Sequence, residues 1–369
     1  MSNLSETNTY APEYLVAPGE VVEEHLEALN ITQANLAERT GLTRKTINEI
    51  VKGKAPITPE TAIKFERVFR MPAHFWENLE TNYQHDKARL EEAERLSHHI
   101  DWLKRVPVSD LVKRGWIKKY QDKRQQLDEV LKFFGIDSPD RMPDVYGGLV
   151  VAFRQAAHGS KNDVAIAAWL RQGEIQAQQL QCGEFDKKVF LERLHEARAL
   201  TTQPPEVFQP ALVALLAPVG VAVVFVPELP KTGISGCTRW VARKAIMQLS
   251  LRYKSNDQLW FTVFHEAGHI LRHGKKDVFF GIKGKANIPS DKPDQLAKKE
   301  EEANQFAQDF LIPTKNYKAF LQQQNNISFE AIKSFAEEMG IAPGIVVGRL
   351  QHDGYLLYSE GNHLKVSYC

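Results

Sequence analysis

The pattern His265-Glu266-Ala267-Gly268-His269 constrains this chain more than any other stretch. Residues four apart on an α-helix lie one turn apart on the same face, so both imidazoles can bind a single metal ion. Glu266 lies beside them, where its carboxylate can act on a water molecule at that ion. Zinc is the expected ion, because it binds imidazole nitrogen and carboxylate oxygen in a tetrahedron and catalytic sites keep one position for water.

The residues around this pattern predict that its helix is buried. Phe261, Val263, Phe264, Ile270 and Leu271 are apolar and cover several sides of the helix. Burying two histidines and a glutamate costs free energy unless their polar atoms have hydrogen-bond, ionic or metal partners. A metal ion is one such partner. The alternative is a pair of core histidines that hydrogen-bond to ordinary neighbours.

A third metal ligand is expected from the acidic helix that begins near Asp294. Glu300 lies one turn before the apolar face of that helix, so we predict that it completes the metal site. Asn304, one turn later, is placed to hydrogen-bond a ligand histidine. Glu301 and Glu302 are rotated away by about 100° and 200° and are expected to be solvated. The alternative for Glu300 is the same solvated helix start, which the helix dipole favours.

His273 lies one further turn after His269. The three-histidine metzincin pattern would place its last histidine two residues later, where Lys275 stands. We therefore predict that His273 is a flanking surface residue or a hydrogen-bond partner of a ligand.

Composition and charge exclude several classes of protein. The chain has 369 residues, of which 43% are hydrophobic and 25% charged, as in soluble proteins of two or three domains. Cys182, Cys237 and Cys369 are far apart and give no disulfide framework, which predicts a reducing cytoplasm. No apolar run approaches the ~18 residues of a membrane helix, so membrane spanning is not expected. The net charge is only +1, so contact with nucleic acid requires a local basic patch.

Such a patch is predicted within residues 32–54. Thr32 is placed to cap one helix and Gly41 to end it, while Thr43 and Gly53 have the same roles for the next helix. Two short helices joined by a tight glycine turn form a helix-turn-helix unit. This stretch holds five basic and two acidic side chains, a net charge of +3.

The second of these helices is predicted to enter the major groove of double-stranded operator DNA. Arginine and lysine suit guanine or phosphate, whereas asparagine and threonine suit adenine edges, thymine methyl groups or phosphate. The alternative is a plain helical hairpin with solvated charges. The residues predicted to contact DNA are Gln33, Thr43, Arg44, Lys45, Thr46, Asn48 and Lys52.

Residues 11–95 resemble the antidote proteins of higBA-type addiction modules, which carry an Xre-type helix-turn-helix. That family implies an operator-binding homodimer and, in its small members, a toxin partner. The resemblance rests on Pro18-Gly19-Glu20, Leu36-Ala37, Thr46-Ile47-Asn48-Glu49-Ile50, Lys52-Gly53, Ile57-Thr58-Pro59-Glu60-Thr61-Ala62 and Phe75-Trp76.

Residues 97–215 are predicted to be mostly helical, and the apolar spacing after them changes to one typical of strands. Residues 221–226, 236–240 and 245–251 are predicted strands, separated by glycines. A small sheet directly before an H-E-x-x-H helix is the zincin arrangement, in which an edge strand can pair with an extended peptide.

Residues 165–355 resemble the ImmA/IrrE metallopeptidase family. The family implies zinc and, for several members, proteolysis of a helix-turn-helix repressor. The resemblance rests on His265-Glu266-x-x-His269, Glu300-x-Glu302-Ala303-Asn304-x-Phe306-Ala307 and Phe310-Leu311-Ile312-Pro313.

The predicted fold is mainly α, with an N-terminal five-helix bundle that carries the helix-turn-helix and an α+β, gluzincin-type domain with a small sheet. The predicted parts are an arm at 1–17, the DNA-binding domain at 18–96, a helical connector at 97–164, the peptidase-like domain at 165–355 and a tail at 356–369.

The predicted function is a cytoplasmic DNA-binding transcriptional regulator that carries a Zn2+-dependent metallo-endopeptidase and regulates its own operon or a linked toxin or stress operon. His265, His269 and Glu300 would hold the metal, and Glu266 would be the catalytic base. A toxin or a repressor protein is the expected substrate or partner. The alternative is a non-catalytic, antitoxin-type repressor whose zincin-like domain senses a ligand or binds a toxin.

Overall fold

The computed structural model describes residues 15–156, 163–230, 232–250, 254–274, 278–282, 293–323 and 327–368. Contacts within the chain divide it into two compact units, Met1–Ile100 and Asp101–Cys369. The predicted arm at 1–17 lies almost wholly outside the described residues. None of the described helices is both long and apolar enough to span a bilayer.

The first unit is the predicted five-helix bundle. Its core is aromatic, since Trp76 is fully buried with its ring centroid 5.5 Å from Phe65 and 5.4 Å from Phe69. Ile47 and Ile50 of the third helix are buried in the same core, which turns the polar residues of that helix outward. The helices are α1 (Pro18–Ala28), α2 (Gln33–Thr40), α3 (Arg44–Val51), α4 (Pro59–Phe69) and α5 (Ala73–Ser97).

Threonine side chains begin α2, α3 and α4. Thr32, Thr43 and Thr58 each accept a hydrogen bond from the backbone N–H three residues later, at 3.2, 3.0 and 3.3 Å. Each such cap satisfies an amide that the helix leaves without a partner and contributes about 1 kcal/mol. Gly41 ends α2 with a φ of 69°, the left-handed conformation that glycine adopts without strain. The predicted caps of the helix-turn-helix are therefore confirmed.

The second unit combines helices with two small sheets. Its helices before the main sheet are α6 (Val108–Lys113), α7 (Lys123–Phe134), α8 (Met142–Ala156), α9 (Asp163–Gln179), α10 (Lys187–Ala199) and α11 (Pro205–Leu216). Its later helices are α12 (Asn256–Arg272), α13 (Pro293–Leu311), α14 (Thr314–Gln323), α15 (Phe329–Met339) and α16 (Pro343–His352). Short 3₁₀ helices are Ile100–Arg105, Pro139–Arg141, Leu200–Thr202, Ala217–Val219 and Asn362–Leu364.

The main sheet is mixed and contains β1 (Val221–Phe225), β2 (Ile234–Val241), β3 (Lys244–Leu249) and β5 (Phe279–Ile282), in the strand order β1-β3-β2-β5. Strands β1 and β3 are parallel, while β2 is antiparallel to both β3 and β5. The three predicted strands are present, although Leu251 lies outside the described residues; β5 was not predicted. Two further strands, β4 (Lys254–Ser255) and β6 (Ser367–Tyr368), form a separate antiparallel ribbon.

The buried helix α12 is the centre of this unit. It packs against α13, α16 and strand β2. Trp260 and Phe264 are fully buried, as the apolar residues around the H-E-x-x-H pattern predicted. The chain's C-terminal end is held at the start of α12, where Asn256 N–H donates to Val366 O at 2.8 Å.

Candidate functional site

Helix α12 presents both histidines of the H-E-x-x-H pattern on one face. His265 is 6% exposed and His269 is 1% exposed. Their Nε2 atoms lie 2.9 Å apart, as expected for side chains one turn apart that point to a common centre. The helix therefore brings two imidazole nitrogens together in a buried place.

Helix α13 adds the carboxylate of Glu300. Its oxygens lie 3.2 Å from His265 Nε2 and 3.5 Å from His269 Nε2. The two helices approach closely at Gly268, where a Cβ would lie 3.2 Å from the Cα of Ala303. A larger residue at 268 would push the helices apart, so the glycine inside the pattern helps to bring Glu300 to the histidines.

The three side chains fit a metal ion. In the described part of the chain, His265, His269 and Glu300 are the group whose ligand atoms all lie within 4.8 Å of one another. A tetrahedral zinc ion with bonds of about 2.0–2.2 Å places its ligand atoms about 3.3–3.5 Å apart. The observed separations of 2.9, 3.2 and 3.5 Å are close to that spacing.

Hydrogen bonds at the outer ring nitrogens orient both imidazoles. Asn304 Oδ1 lies 2.9 Å from His265 Nδ1, as the helix phase of Asn304 predicted. His269 Nδ1 lies 2.9 Å from His273 Nδ1, and His273 Nε2 lies 3.3 Å from Glu302. We assign a proton to His273 Nε2, which donates to Glu302, and one to His269 Nδ1, which donates to His273.

We likewise assign a proton to His265 Nδ1, which donates to Asn304 Oδ1. The Nε2 lone pairs of His265 and His269 then face each other and the carboxylate of Glu300. Three acceptors that converge in a buried place repel one another unless a cation lies between them. Partners at the far ring nitrogen fix the tautomer and orientation of metal-binding histidines in the same way.

Glu302 is solvated only in part: 39% of its side-chain area is exposed, and its carboxylate makes a contact with His273 that was not predicted. The side chain of His273 is only 3% exposed, so it is a hydrogen-bond partner of His269 and not a surface residue. Helix phase placed Glu302 away from the apolar face of α13, but His273 reaches toward it from the end of α12. Glu301 is exposed, as predicted.

Burial and charge act against each other in this cluster. Burial lowers the pKa of His269 to about 4, although its contact with Glu300 opposes that shift. Burial would raise the pKa of Glu300, but in the metal-free protein the two imidazoles beside it outweigh burial and lower the pKa to about 2. At neutral pH His269 is therefore neutral and Glu300 is ionised, as metal ligands must be. Burial would lower the pKa of His265, but its contacts with Glu300 and Glu266 outweigh burial and raise the pKa, so a metal ion has to displace a proton from this imidazole.

Glu266 is fully buried beside this cluster. Its carboxylate lies against strand β2, where a Cβ on Gly236 would come within 2.8 Å of Glu266 Oε1. Thr238 Oγ1, also on β2, donates to the backbone oxygen of Glu266 at 3.4 Å. The absence of a side chain at Gly236 thus sets the position of the carboxylate.

Phe279 of β5 is a site residue that sequence reasoning missed. Its ring stacks on His269, with centroids 3.8 Å apart and planes 12° from parallel. Phe279 therefore covers one face of that imidazole and limits its rotation. The Phe279-Phe280 pair shortly after the H-E-x-x-H pattern could have indicated a strand. The sequence does not show that this strand pairs with β2, because β2 is distant along the chain.

In the first unit, the predicted DNA-contacting residues lie mainly at the N-terminal end of α3. Arg44 and Lys45 are highly exposed, with 75% and 83% of their side-chain area accessible. Thr43 Oγ1 lies 2.8 Å from Thr46 Oγ1. The other polar contacts in this region are Asn48 Nδ2 to Gln33 Oε1 at 3.4 Å, Arg44 to Glu38 at 3.7 Å and Lys45 to Glu49 at 3.8 Å, while Lys52 is exposed at the end of α3.

Two families match separate parts of the chain. Residues 22–76 match the helix-turn-helix family, and residues 223–351 match the IrrE N-terminal-like domain. Both resemblances that the sequence indicated are therefore confirmed, each within the corresponding unit.

Curated relatives cover the helix-turn-helix region. The uncharacterized HTH-type transcriptional regulator YddM of Escherichia coli K12 is 32% identical over 78 residues, which are 21% of this chain and 78% of that protein. Virulence-associated protein I of Dichelobacter nodosus is 35% identical over 69 residues, which are 18% of this chain and 64% of that protein.

Solved structures match the same region. Pseudomonas aeruginosa antitoxin HigA, solved with the higBA promoter, has 30% sequence identity and a TM-score of 0.22, covering 23% of this chain and 94% of that one. An antidote protein of a plasmid maintenance system from Nostoc punctiforme has the same identity and TM-score, covering 23% and 92%. From its curated relatives and the two family matches, the chain belongs to the helix-turn-helix transcriptional regulators and carries an IrrE N-terminal-like domain.

Proposed function

We propose that the second unit of this DNA-binding regulator is a zinc-dependent metallo-endopeptidase. The observation that carries the proposal is the convergence of His265, His269 and Glu300 next to the buried carboxylate of Glu266. The match to the IrrE N-terminal-like domain supports it. We place the protein in the cytoplasm, because its cysteines suit a reducing compartment.

In this mechanism His265, His269 and Glu300 would hold the zinc ion, and Asn304 and His273 would orient the two imidazoles. Zinc at such a site supplies Lewis acidity, which makes water nucleophilic near neutral pH. The Glu266 carboxylate takes the proton from the attacking water and later gives it to the leaving amine. Gly236 leaves the space in which that carboxylate must lie.

We propose that the first unit binds operator DNA as a homodimer and regulates its own operon or a linked toxin or stress operon. Support comes from the net charge of +3 within residues 32–54 and from the exposure of Arg44 and Lys45. The ion pairs of these two residues are exposed, and such pairs contribute only ~0–1 kcal/mol, so DNA phosphates can replace them.

Purified protein tests the peptidase proposal directly. We expect about one zinc ion per chain by elemental analysis. We also expect cleavage of an unfolded protein such as reduced, alkylated casein, which 1,10-phenanthroline stops and added zinc restores. Bound zinc without any cleavage would favour the non-catalytic alternative, in which the domain senses a ligand or binds a toxin. Protein that neither contains nor binds zinc would contradict the proposal.

Substituting Arg44→Ala together with Lys45→Ala should weaken specific DNA binding by about tenfold to a hundredfold, because base and phosphate contacts are both lost. The measurement is fluorescence anisotropy at fixed salt with a duplex that the wild-type protein selects from a random pool. The matched control is Arg67→Ala with Lys87→Ala, which removes the same charge from exposed positions on α4 and α5. Equal affinities of the two double variants would reject α3 as the recognition helix.

A further inference from the structure

A cavity of about 440 Å³ opens beside the candidate metal centre. Its walls come from the first turns of α12, the start of β2, the end of α13 and one face of α16. Phe261, Leu311, Ile312 and Ile345 give the cavity an apolar interior, and Gln308 is one of its polar lining residues. Pockets of this size hold sizeable apolar groups, whereas most voids in protein interiors are no larger than a water molecule.

The cavity is continuous with the candidate catalytic residues. Phe261 and Thr262 line it and lie one turn before His265 and Glu266 on the same helix. The ring centroid of Phe261 is 6.1 Å from that of His265. A Cβ on Gly236 would lie 2.8 Å from both Thr262 Cγ2 and Glu266 Oε1, so a cavity wall and the proposed base meet at one point.

Three charged side chains line the cavity, Glu228, Asp257 and Arg349, and the last two are neutralised by ion pairs within the chain. Asp257 Oδ2 lies 2.6 Å from Lys365 Nζ, and their side chains are 10% and 12% exposed. Arg349 Nε lies 2.6 Å from Asp353 Oδ2, and their side chains are 18% and 22% exposed. In both pairs the two charges are largely buried and in direct contact, so neither pair needs a charged group of a bound ligand as a partner. Together with the apolar side chains of the wall, these two pairs favour an apolar guest over a charged one.

We propose that this cavity receives a large aliphatic or aromatic side chain of a peptide substrate, next to the bond that is cleaved. The proposal rests on the proposed peptidase function and names its substrate class: segments with a large apolar residue, as exposed by unfolded or partly unfolded protein. Side chains that enter the cavity exchange water for apolar walls, which is the main source of affinity for such groups.

The first test measures binding without hydrolysis, in zinc-loaded protein that carries Glu266→Gln. The probes are short, capped alanine peptides with one central residue changed to Leu, Phe, Asp or Lys, competed against a fluorescein-labelled Phe peptide. We expect the Leu and Phe peptides to bind at least about tenfold more tightly than the Ala, Asp and Lys peptides. Equal affinities, or no binding of the Leu and Phe peptides, would overturn the proposal.

A cavity-filling variant with a matched control locates the binding. In the same Glu266→Gln protein, Gln308→Trp replaces a lining residue of the cavity by the larger indole, and the preference for Leu and Phe peptides should fall to less than about threefold. Gln305→Trp makes the same change three residues earlier on α13, at an exposed position that does not line the cavity. This control should keep the full preference, and loss in both variants or in neither would contradict the location.

Cleavage of the same peptides by the wild-type protein separates this proposal from the peptidase proposal. Selective binding without cleavage would leave the cavity as an apolar peptide site and reject the peptidase. Cleavage that ignores the central residue would keep the peptidase and reject the cavity as its specificity pocket. Cleavage next to Leu and Phe, lost with Gln308→Trp and kept with Gln305→Trp, would support both.

Discussion

Glu266→Gln is expected to lower the rate of peptide hydrolysis by about a hundredfold to ten-thousandfold, the range that a general base contributes. Glutamine has nearly the shape of glutamate, so it fits the same space against Gly236. It cannot accept the proton of the attacking water, because an amide oxygen is a far weaker base than a carboxylate. The measurement is the initial rate of cleavage of a fluorogenic peptide at equal zinc content.

The same variant contains its own controls. Because Glu266 is not among the three ligands, zinc content and thermal stability should change little. DNA binding should also be unchanged, since the recognition helix belongs to the other unit. If hydrolysis continues at the wild-type rate with Gln at 266, this residue is not the base. If regulation of the operon survives when hydrolysis is lost, cleavage is not how the protein acts.

Glu300→Gln is expected to weaken zinc binding by at least about a hundredfold, because removing a ligand costs more than the loss of an outer hydrogen-bond partner, which costs ten- to a hundredfold. The charged carboxylate is replaced by a neutral amide that still fits the space between the imidazoles. Zinc affinity can be measured by competition with a fluorescent chelator, and zinc content by elemental analysis after dialysis. Hydrolysis should fall in parallel with zinc content.

Glu301→Gln is the matched control for this substitution. It makes the same chemical change one residue later on α13, at an exposed position. Its zinc affinity should equal that of the wild-type protein. If the two variants bind zinc equally, Glu300 is not a ligand, and the alternative of a solvated helix start returns. If both lose zinc, the loss reflects the acidic charge of the helix and not a direct bond.

The local features of the first unit could be predicted because their causes are local in sequence. Thr32, Thr43 and Thr58 cap helices through an amide only three residues away. Gly41 adopts the left-handed conformation at its own backbone. Apolar spacing also indicated that Ile47 faces the core, which left the polar side of α3 outward.

The second unit could be predicted only in part. The pairing of His265 with His269 follows from helix periodicity, and the placement of Glu300 follows from the phase of α13. The contact between His273 and Glu302 could not be derived in this way, because it depends on how α12 and α13 pack. The stacking of Phe279 on His269 likewise depends on the pairing of β5 with β2.

The sequence by itself therefore determined the caps of the helix-turn-helix, the two-histidine face and the family of each unit, because these are properties of single segments or of local spacing. Only the tertiary structure decided three features: the hydrogen bonds from His269 through His273 to Glu302, the position of the Glu266 carboxylate against Gly236, and the apolar cavity. Each of these joins segments that are distant in sequence. Their relative positions depend on close packing in the core, and the pattern of any one segment does not contain that information.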